Sequence, residues 1–207
     1  YLAVRFMEEG WSIKKLHRWI MLSSTYRQSS HGSADFSSRD PENRLLWRMN
    51  RRRLDVEAFR DSVLYAAGRL DLRLGGPAGN LLDPANQRRT LYASIDRQNL
   101  PGMLRLFDFA SPDAHAAQRH TTTVPLQALF LLNSPFMESS AQALAERSAG
   151  PGSDLPPAER VRKLYRLALG RAPSSDELNR GVRFVEAGSW SELAQVLLLS
   201  NEFAFVD

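Results

Sequence analysis

The sequence predicts a mainly α protein: a helical, bundle-like domain with long loops, at most one short β element and a small C-terminal helical lobe. Three observations predict it. Apolar residues recur at helical spacing in window after window, as in Ile13, Leu16, Trp19, Ile20 and Leu22 or Val161, Leu164, Tyr165 and Ala168. Helix-start signals precede such windows, above all the Ser174–Glu177 and Ser189–Glu192 pairs, which have the spacing of capping boxes. One run alone, Thr90–Ile95, reads as a strand, and one strand does not make a sheet.

In chain order, Leu2, Val4, Phe6 and Met7 predict a short helix that Gly10 ends. Ser12 is the expected N-cap of a second helix, which stops around Ser24–Tyr26. The Ser/Gly-rich stretch from Gln28 to Arg39 reads as a loop. Asp40-Pro41 opens a short turn, given an apolar side by Leu45, Leu46 and Trp47. Arg51–Leu70 reads as the most charged helix, laced by Arg51–Asp55, Arg53–Glu57 and Glu57–Arg60 pairs and ended at Gly68. Leu74–Asn86 is a Gly/Pro-rich loop, Met103–Phe109 a short helix, and Ala110–Thr123 polar and irregular. Pro125–Leu132 and Phe136–Ser148 read as consecutive helices broken at Asn133-Ser134-Pro135. Three more follow, from Ala158 to Leu169 and from the two capping boxes to about Ala187 and Asn201. Residues 1–149 form a main body in this reading, 150–157 a linker and 158–207 a C-terminal lobe.

With 207 residues, 43% hydrophobic and 24% charged, the composition is that of an ordinary globular chain, which excludes collagen, a coiled coil and full-length disorder. Absence of cysteine excludes disulfides, Cys-ligated zinc, iron–sulfur clusters, covalently attached haem and thiol nucleophiles. No run of about 18 apolar residues is present, so no membrane span is expected. Only Lys14, Lys15 and Lys163 among the 27 basic residues are lysine, the rest being arginine. Arginine makes bidentate forks to carboxylates, and 23 acidic residues can pair with most of them, so the net charge of +4 reads as internal ion pairing more than as a polyanion-binding surface. The chain opens at Tyr1 directly into an amphipathic run and reads as a fragment of a longer protein.

Three stretches carry a family resemblance: "LHRWIMLSSTYRQSS" at 16–30, "DPENRLLWRMNRRRLDVEAFRDS" at 40–62 and "TTTVPLQALFLLN" at 121–133, joined by "LYRLALGRAPSSDEL" and "LLLSNEFAFVD". The chain resembles the planctomycete-type domain of unknown function 1553 over nearly its whole length. The resemblance implies the C-terminal part of a large exported or periplasmic protein, in which this domain follows a second domain of unknown function and often a cytochrome-c-like module. It implies that the family's beginning lies upstream of Tyr1 and that "NEFAFVD" is close to a family C-terminus. In many members a cysteine precedes the arginine matching Arg119 by three positions; here that position is Ala116, so a thiol role there has no side chain to carry it.

Several constellations could carry chemistry, and each has a plainer reading beside it. Arg48–Asp61 could be an anion-binding face for acidic carbohydrate, with Arg51 and Arg53 as ligands; the plainer and preferred reading is a helix paired with its own carboxylates. Nothing matches a DNA- or RNA-binding motif, so nucleic acid is not an expected partner. Asp108, Asp113, His115, Arg119 and His120 crowd into one loop, where a carboxylate–His pair could do acid/base work; hydrogen-bonded structure is the preferred reading, and Asp108, Asp113, His115 and Arg119 are the catalytic candidates if there is chemistry. The histidines lack ligand spacing, so neither a metal nor a cofactor is expected. Arg27 could hold an anion or could tie off a helix end. Gly75-Gly76-Pro77-Ala78-Gly79 lacks the Gly-Lys-Ser/Thr of a phosphate loop. Trp11, Trp19, Trp47 and Trp190 could stack sugars, core packing being preferred.

Two functional readings result. The favoured one is an interaction or scaffold module whose partners are upstream domains of the same polypeptide. The alternative is part of an enzyme acting on carbohydrate or in oxidative metabolism, its cleft shared with an upstream domain.

Overall fold

The computed structural model describes residues 1–150 and 155–206. It is mainly α, as the periodicity predicts, and the chain falls into two units. Of the described residues, the first comprises Tyr1–Arg52 with Val206, the second the rest from Arg53 to Phe205. Much of the linker expected at Gly150–Pro157, residues 151–154, lies outside the described residues.

In the first unit, α1 (Leu2–Glu8) and α2 (Ile13–Leu22) form a helical hairpin. Ser12 caps α2 as expected, its hydroxyl accepting the Lys15 N–H at 3.4 Å. Lys15 pairs with Glu9 at 3.3 Å, and the Arg5 guanidinium lies 5.4 Å from the Trp19 ring centre. A short helix, α3 (Ala34–Arg39), occupies the end of the stretch expected to be loop. Its acidic first turn and basic last turn suit the helix dipole, a signal that the Ser/Gly content masks. The Asp40-Pro41 turn is built by the Asp40 carboxylate, which accepts the Arg44 N–H at 3.0 Å and the Leu45 N–H at 2.7 Å. The apolar side expected for this turn is not buried: Leu45 is 83% exposed. Core packing fails for Trp11 too, which is 65% exposed and forms an edge-to-face pair with Phe6 at 5.3 Å.

The second unit begins with α4 (Val56–Ala66). The helix expected over Arg51–Leu70 is shorter because Asp55 caps it, its Oδ1 accepting the Ala58 N–H at 2.9 Å. Arg51 and Arg53 therefore precede the helix, and neither stands in the helical i,i+4 relation expected with Asp55 and Glu57. Two two-residue strands, β1 (Arg52–Arg53) and β2 (Phe205–Val206), make the one sheet among the described residues. At its other end α4 stops at Gly68, whose φ of +73° suits a residue without a side chain. The Arg147 guanidinium donates there to the carbonyls of Ala66 at 2.7 Å and Tyr65 at 2.9 Å, the latter also accepting the Gly68 N–H at 3.0 Å, and so supplements the bonding of the last helical turn.

Thr90–Tyr92 is a single turn of 3-10 helix where a strand was expected. Thr90 is buried and tied to α4, and that tertiary bond overrides the local β preference. Short α5 (Gly102–Leu106) precedes the irregular 107–124 loop, and α6 (Pro125–Leu132) and α7 (Pro135–Ala149) follow with the expected break between them. The last helices are α8 (Pro157–Leu169), α9 (Ser175–Ala187), α10 (Trp190–Leu198) and α11 (Asn201–Ala204). Both expected capping boxes are present, Ser174 with Glu177 and Ser189 with Glu192. One apolar core joins α4, α7, α8, α10 and α11 through Val63, Met137, Leu144, Leu164 and Leu198, with Phe59 edge-on to Phe203 at 5.7 Å. Each fully buried side chain of this kind contributes about 1.5–3 kcal/mol. A smaller cluster of Val56, Leu81, Leu100 and Leu104 packs α5 and the 81–100 loop under the start of α4.

Candidate functional site

The start of α4 concentrates charge. Asp55 is its N-cap, Glu57 lies in its first turn and Asp61 one turn later, all near the end where the helix dipole favours anions. Asp61 is committed to structure: its Oδ1 accepts both the N–H and the hydroxyl of Thr90 at 2.7 Å. Beside it Arg60 is buried, donating to the Arg88 carbonyl at 3.0 Å, to Thr90 Oγ1 at 3.2 Å and to the Asn86 carbonyl. Burial lowers the pKa of this guanidinium, and the Asp61 charge opposes the shift.

The 107–124 loop brings the opposing arginine. Its ends are closed by Asp108, whose carboxylate accepts the Thr122 N–H at 2.7 Å and the Thr122 hydroxyl at 2.9 Å. The base of the loop rests on Gln127, 1% exposed. Gln127 Oε1 accepts from Arg53 Nη1 at 2.5 Å, and its Nε2 donates to the Leu106 carbonyl at 2.8 Å. Arg53 Nη1 also donates to the Thr122 carbonyl at 3.0 Å. Held in this way, the loop delivers Arg119 to α4. Its Nη1 lies 2.8 Å and 3.0 Å from the two oxygens of Glu57 and 3.9 Å from Asp55 Oδ2, with the guanidinium over the Phe109 ring at 4.8 Å.

Between these parts is a pocket of about 410 Å³. Asp55, Glu57, Asp61, Arg89 and Arg119 supply its charge, and Leu81, Leu91, Ile95, Leu104 and Phe109 its apolar wall. Of the four catalytic candidates, Arg119 lines it. Asp108 is engaged with Thr122, and Asp113 pairs with Arg97 at 3.0 Å on the surface. His115 is exposed and has no polar partner among the described residues. The anion-binding candidates have separate settings. Arg27 is exposed, Arg51 Nε lies 3.5 Å from Ser30 Oγ, and Arg53 belongs to the Gln127 network. Among the tryptophans, the Arg160 guanidinium covers the Trp190 ring at 4.0 Å, and the Trp47 indole donates to the Asp40 carbonyl.

Arg119 is singled out in the sequence by the family motif, but its partner is not. Asp55 and Glu57 were visible as carboxylates, and Glu57 and Arg119 are 62 positions apart, beyond any local spacing rule. Asp61, Thr90 and Arg89 gave no local signal either. An Asp directly before an apolar helical run is an N-cap signal, and it marks Asp55 as the true start of the helix.

The family model of PSD1, a protein of unknown function (DUF1553), matches residues 1–185. No curated protein and no solved structure matches the chain.

Proposed function

Because the chain belongs to the PSD1 (DUF1553) family, we propose that it is an interaction module of a larger exported protein, docking through its N-terminal helical hairpin onto an upstream domain of the same polypeptide. One observation carries the reading: among the described residues of the first unit, no apolar side chain is buried. Ser30, Asp40 and Asn43 are its buried residues, all polar. Meanwhile α1 and α2 leave Val4, Met7, Ile13, Met21 and Leu22 exposed. Ile13, Met21 and Leu22 line one groove on α2, and an exposed apolar surface of this kind is a usual mark of a contact surface. Lys14 and Arg18 stand on α2 beside these residues, and α2 holds no acid, so the facing surface is apolar with an acidic rim.

The test mixes the 207-residue chain with the separately produced upstream part of its polypeptide. A stoichiometric complex is expected, lost in a Met7→Asp, Ile13→Asp double variant whose circular dichroism matches the parent. Absence of a complex, or one that the double variant forms equally well, contradicts the reading.

A second reading, part of an enzyme with a shared cleft, is favoured by the pocket that joins Arg119 to Glu57 and Asp55. It requires that an activity of the full-length protein, sought on polysaccharides, be lost on Arg119→Ala. Survival in correctly folded protein removes it.

A further inference from the structure

The hydrogen-bonding capacity left open in the Arg119 pocket lies mostly with donors. Its carboxylates are largely occupied: Glu57 takes Arg119 on both oxygens, Asp61 Oδ1 takes two bonds from Thr90, and Asp55 Oδ1 takes the Ala58 N–H. They are also matched in charge. Arg119 faces Glu57 and Asp55, and Asp61 lies 3.9 Å from both Arg60 Nη1 and Arg89 Nε. The guanidinium donors are not occupied in the same degree. Arg119 bonds through Nη1 alone, leaving Nε and Nη2, the two-pronged edge that fits a carboxylate, without partners among the described residues. Arg89 makes no side-chain hydrogen bond among them and is 43% exposed. Glu57 on one nitrogen and Phe109 beneath the plane fix the orientation of the Arg119 fork before any ligand arrives.

We infer that this pocket binds a small carboxylate with a compact apolar body. The ligand carboxylate takes the free Nε–Nη2 edge of Arg119, with Arg89 as second donor, and its body covers Leu81, Leu91 and Ile95. The two carboxylate oxygens that accept no hydrogen bond, Asp55 Oδ2 and Asp61 Oδ2, each lie 3.9 Å from an arginine nitrogen, whose charge opposes a cationic ligand. A neutral polyol can accept from Arg119 but brings no charge to meet it, and it would set hydroxyls against leucine and isoleucine. A volume of about 410 Å³ suits a molecule of this size. The inference is independent of docking through α1 and α2, which involves none of these residues.

The test is a titration of the isotope-labelled 207-residue chain with sodium hexanoate, followed by NMR at the Arg119 Nε–H and the methyl groups of Leu81 and Leu91. Parallel titrations use hexanamide, hexylamine and methyl glucoside. Saturable shifts at these resonances are expected with hexanoate and at least ten-fold weaker binding with the other three. Arg119→Lys, which keeps the charge but not the fork, is expected to weaken hexanoate at least ten-fold. Arg89→Gln, which strands no hydrogen-bonded partner, is expected to weaken it several-fold and serves if the first variant misfolds. Arg97→Gln, on the Asp113 pair, is expected to leave it unchanged. Absence of saturation, equal binding of hexanamide, preference for hexylamine or methyl glucoside, or unchanged affinity in both pocket variants overturns the inference.

Discussion

Arg171 sits just past the end of α8 and closes two acids onto one guanidinium. Nη1 and Nη2 reach Glu177 at 2.8 Å and 2.7 Å, and Nε and Nη2 reach Glu202 at 2.5 Å and 2.6 Å. The Arg171 hydrogen bonds hold the Glu177 carboxyl down at about 2, against burial and with help from the Ser174 N–H. The same bonds push the Arg171 pKa above its usual value. A folded-state pKa below the ordinary 4.5 gives stability that is fully present above about pH 4.5 and lost as pH falls toward 2. Both partners are partly exposed, so the contribution is about 0.5–1 kcal/mol. Urea unfolding of the parent and Glu177→Gln is expected to differ by about that amount at pH 7 and to converge by pH 2. A constant difference across the range contradicts this origin. Half of the cluster is legible in the sequence, because Ser174 and Glu177 have capping-box spacing. The rest is not, because Glu202 is 31 positions from Arg171. Arg53 shows the same limit: local spacing pairs it with Glu57, whereas it folds against Gln127, 74 positions away.

Elements are legible where their signals are local. The starts of α9 and α10 follow from single side chains that satisfy N–H groups the helix leaves open. The breaks between α6 and α7 and after α4 follow from Asn133-Ser134-Pro135 and Gly68. The 3-10 turn at Thr90 was hidden, because Asp61 and Arg60 decide it from another part of the chain. Helix packing is hidden for the same reason, and Gly181 of α9 is an example. A Cβ there would lie 2.9 Å from Val161 Cγ1, and Val161 is fully buried in α8. Gly181→Ala gains about 1 kcal/mol of helix propensity and costs about 1–3 kcal/mol in overpacking. Net destabilisation of up to about 2 kcal/mol is expected in chemical denaturation. Adding Val161→Ala makes room, so the double variant is expected to lose less than the sum of the two single changes. Strict additivity would show that the two helices do not meet in this way.

At the scale of the whole molecule, the sequence suggested a C-terminal lobe hung on the 150–157 linker, and that division remains a proposal. Core residues from both sides of the linker, Met137 and Leu144 before it and Leu164 and Leu198 after it, belong to one apolar cluster. Limited proteolysis is therefore expected to cut first between Gly150 and Pro157 and to leave two fragments that co-elute under native conditions. Early cleavage within Ser191–Leu199, or fragments that separate at once, contradicts it.

The first unit poses the opposite problem, apolar helices with no buried apolar side chain. Helices of seven and ten residues are too short to be stable alone and take their stability from packing. Docking should supply that packing, and hydrogen exchange reads it directly. The amides of residues 5–8 and 16–22 are to be compared in the 207-residue chain and in the full-length polypeptide under the same conditions. Protection at least ten-fold greater in the full-length protein, with α7 and α10 unchanged, is the expected result. Equal exchange of α1 and α2 in the two proteins would contradict the interaction reading.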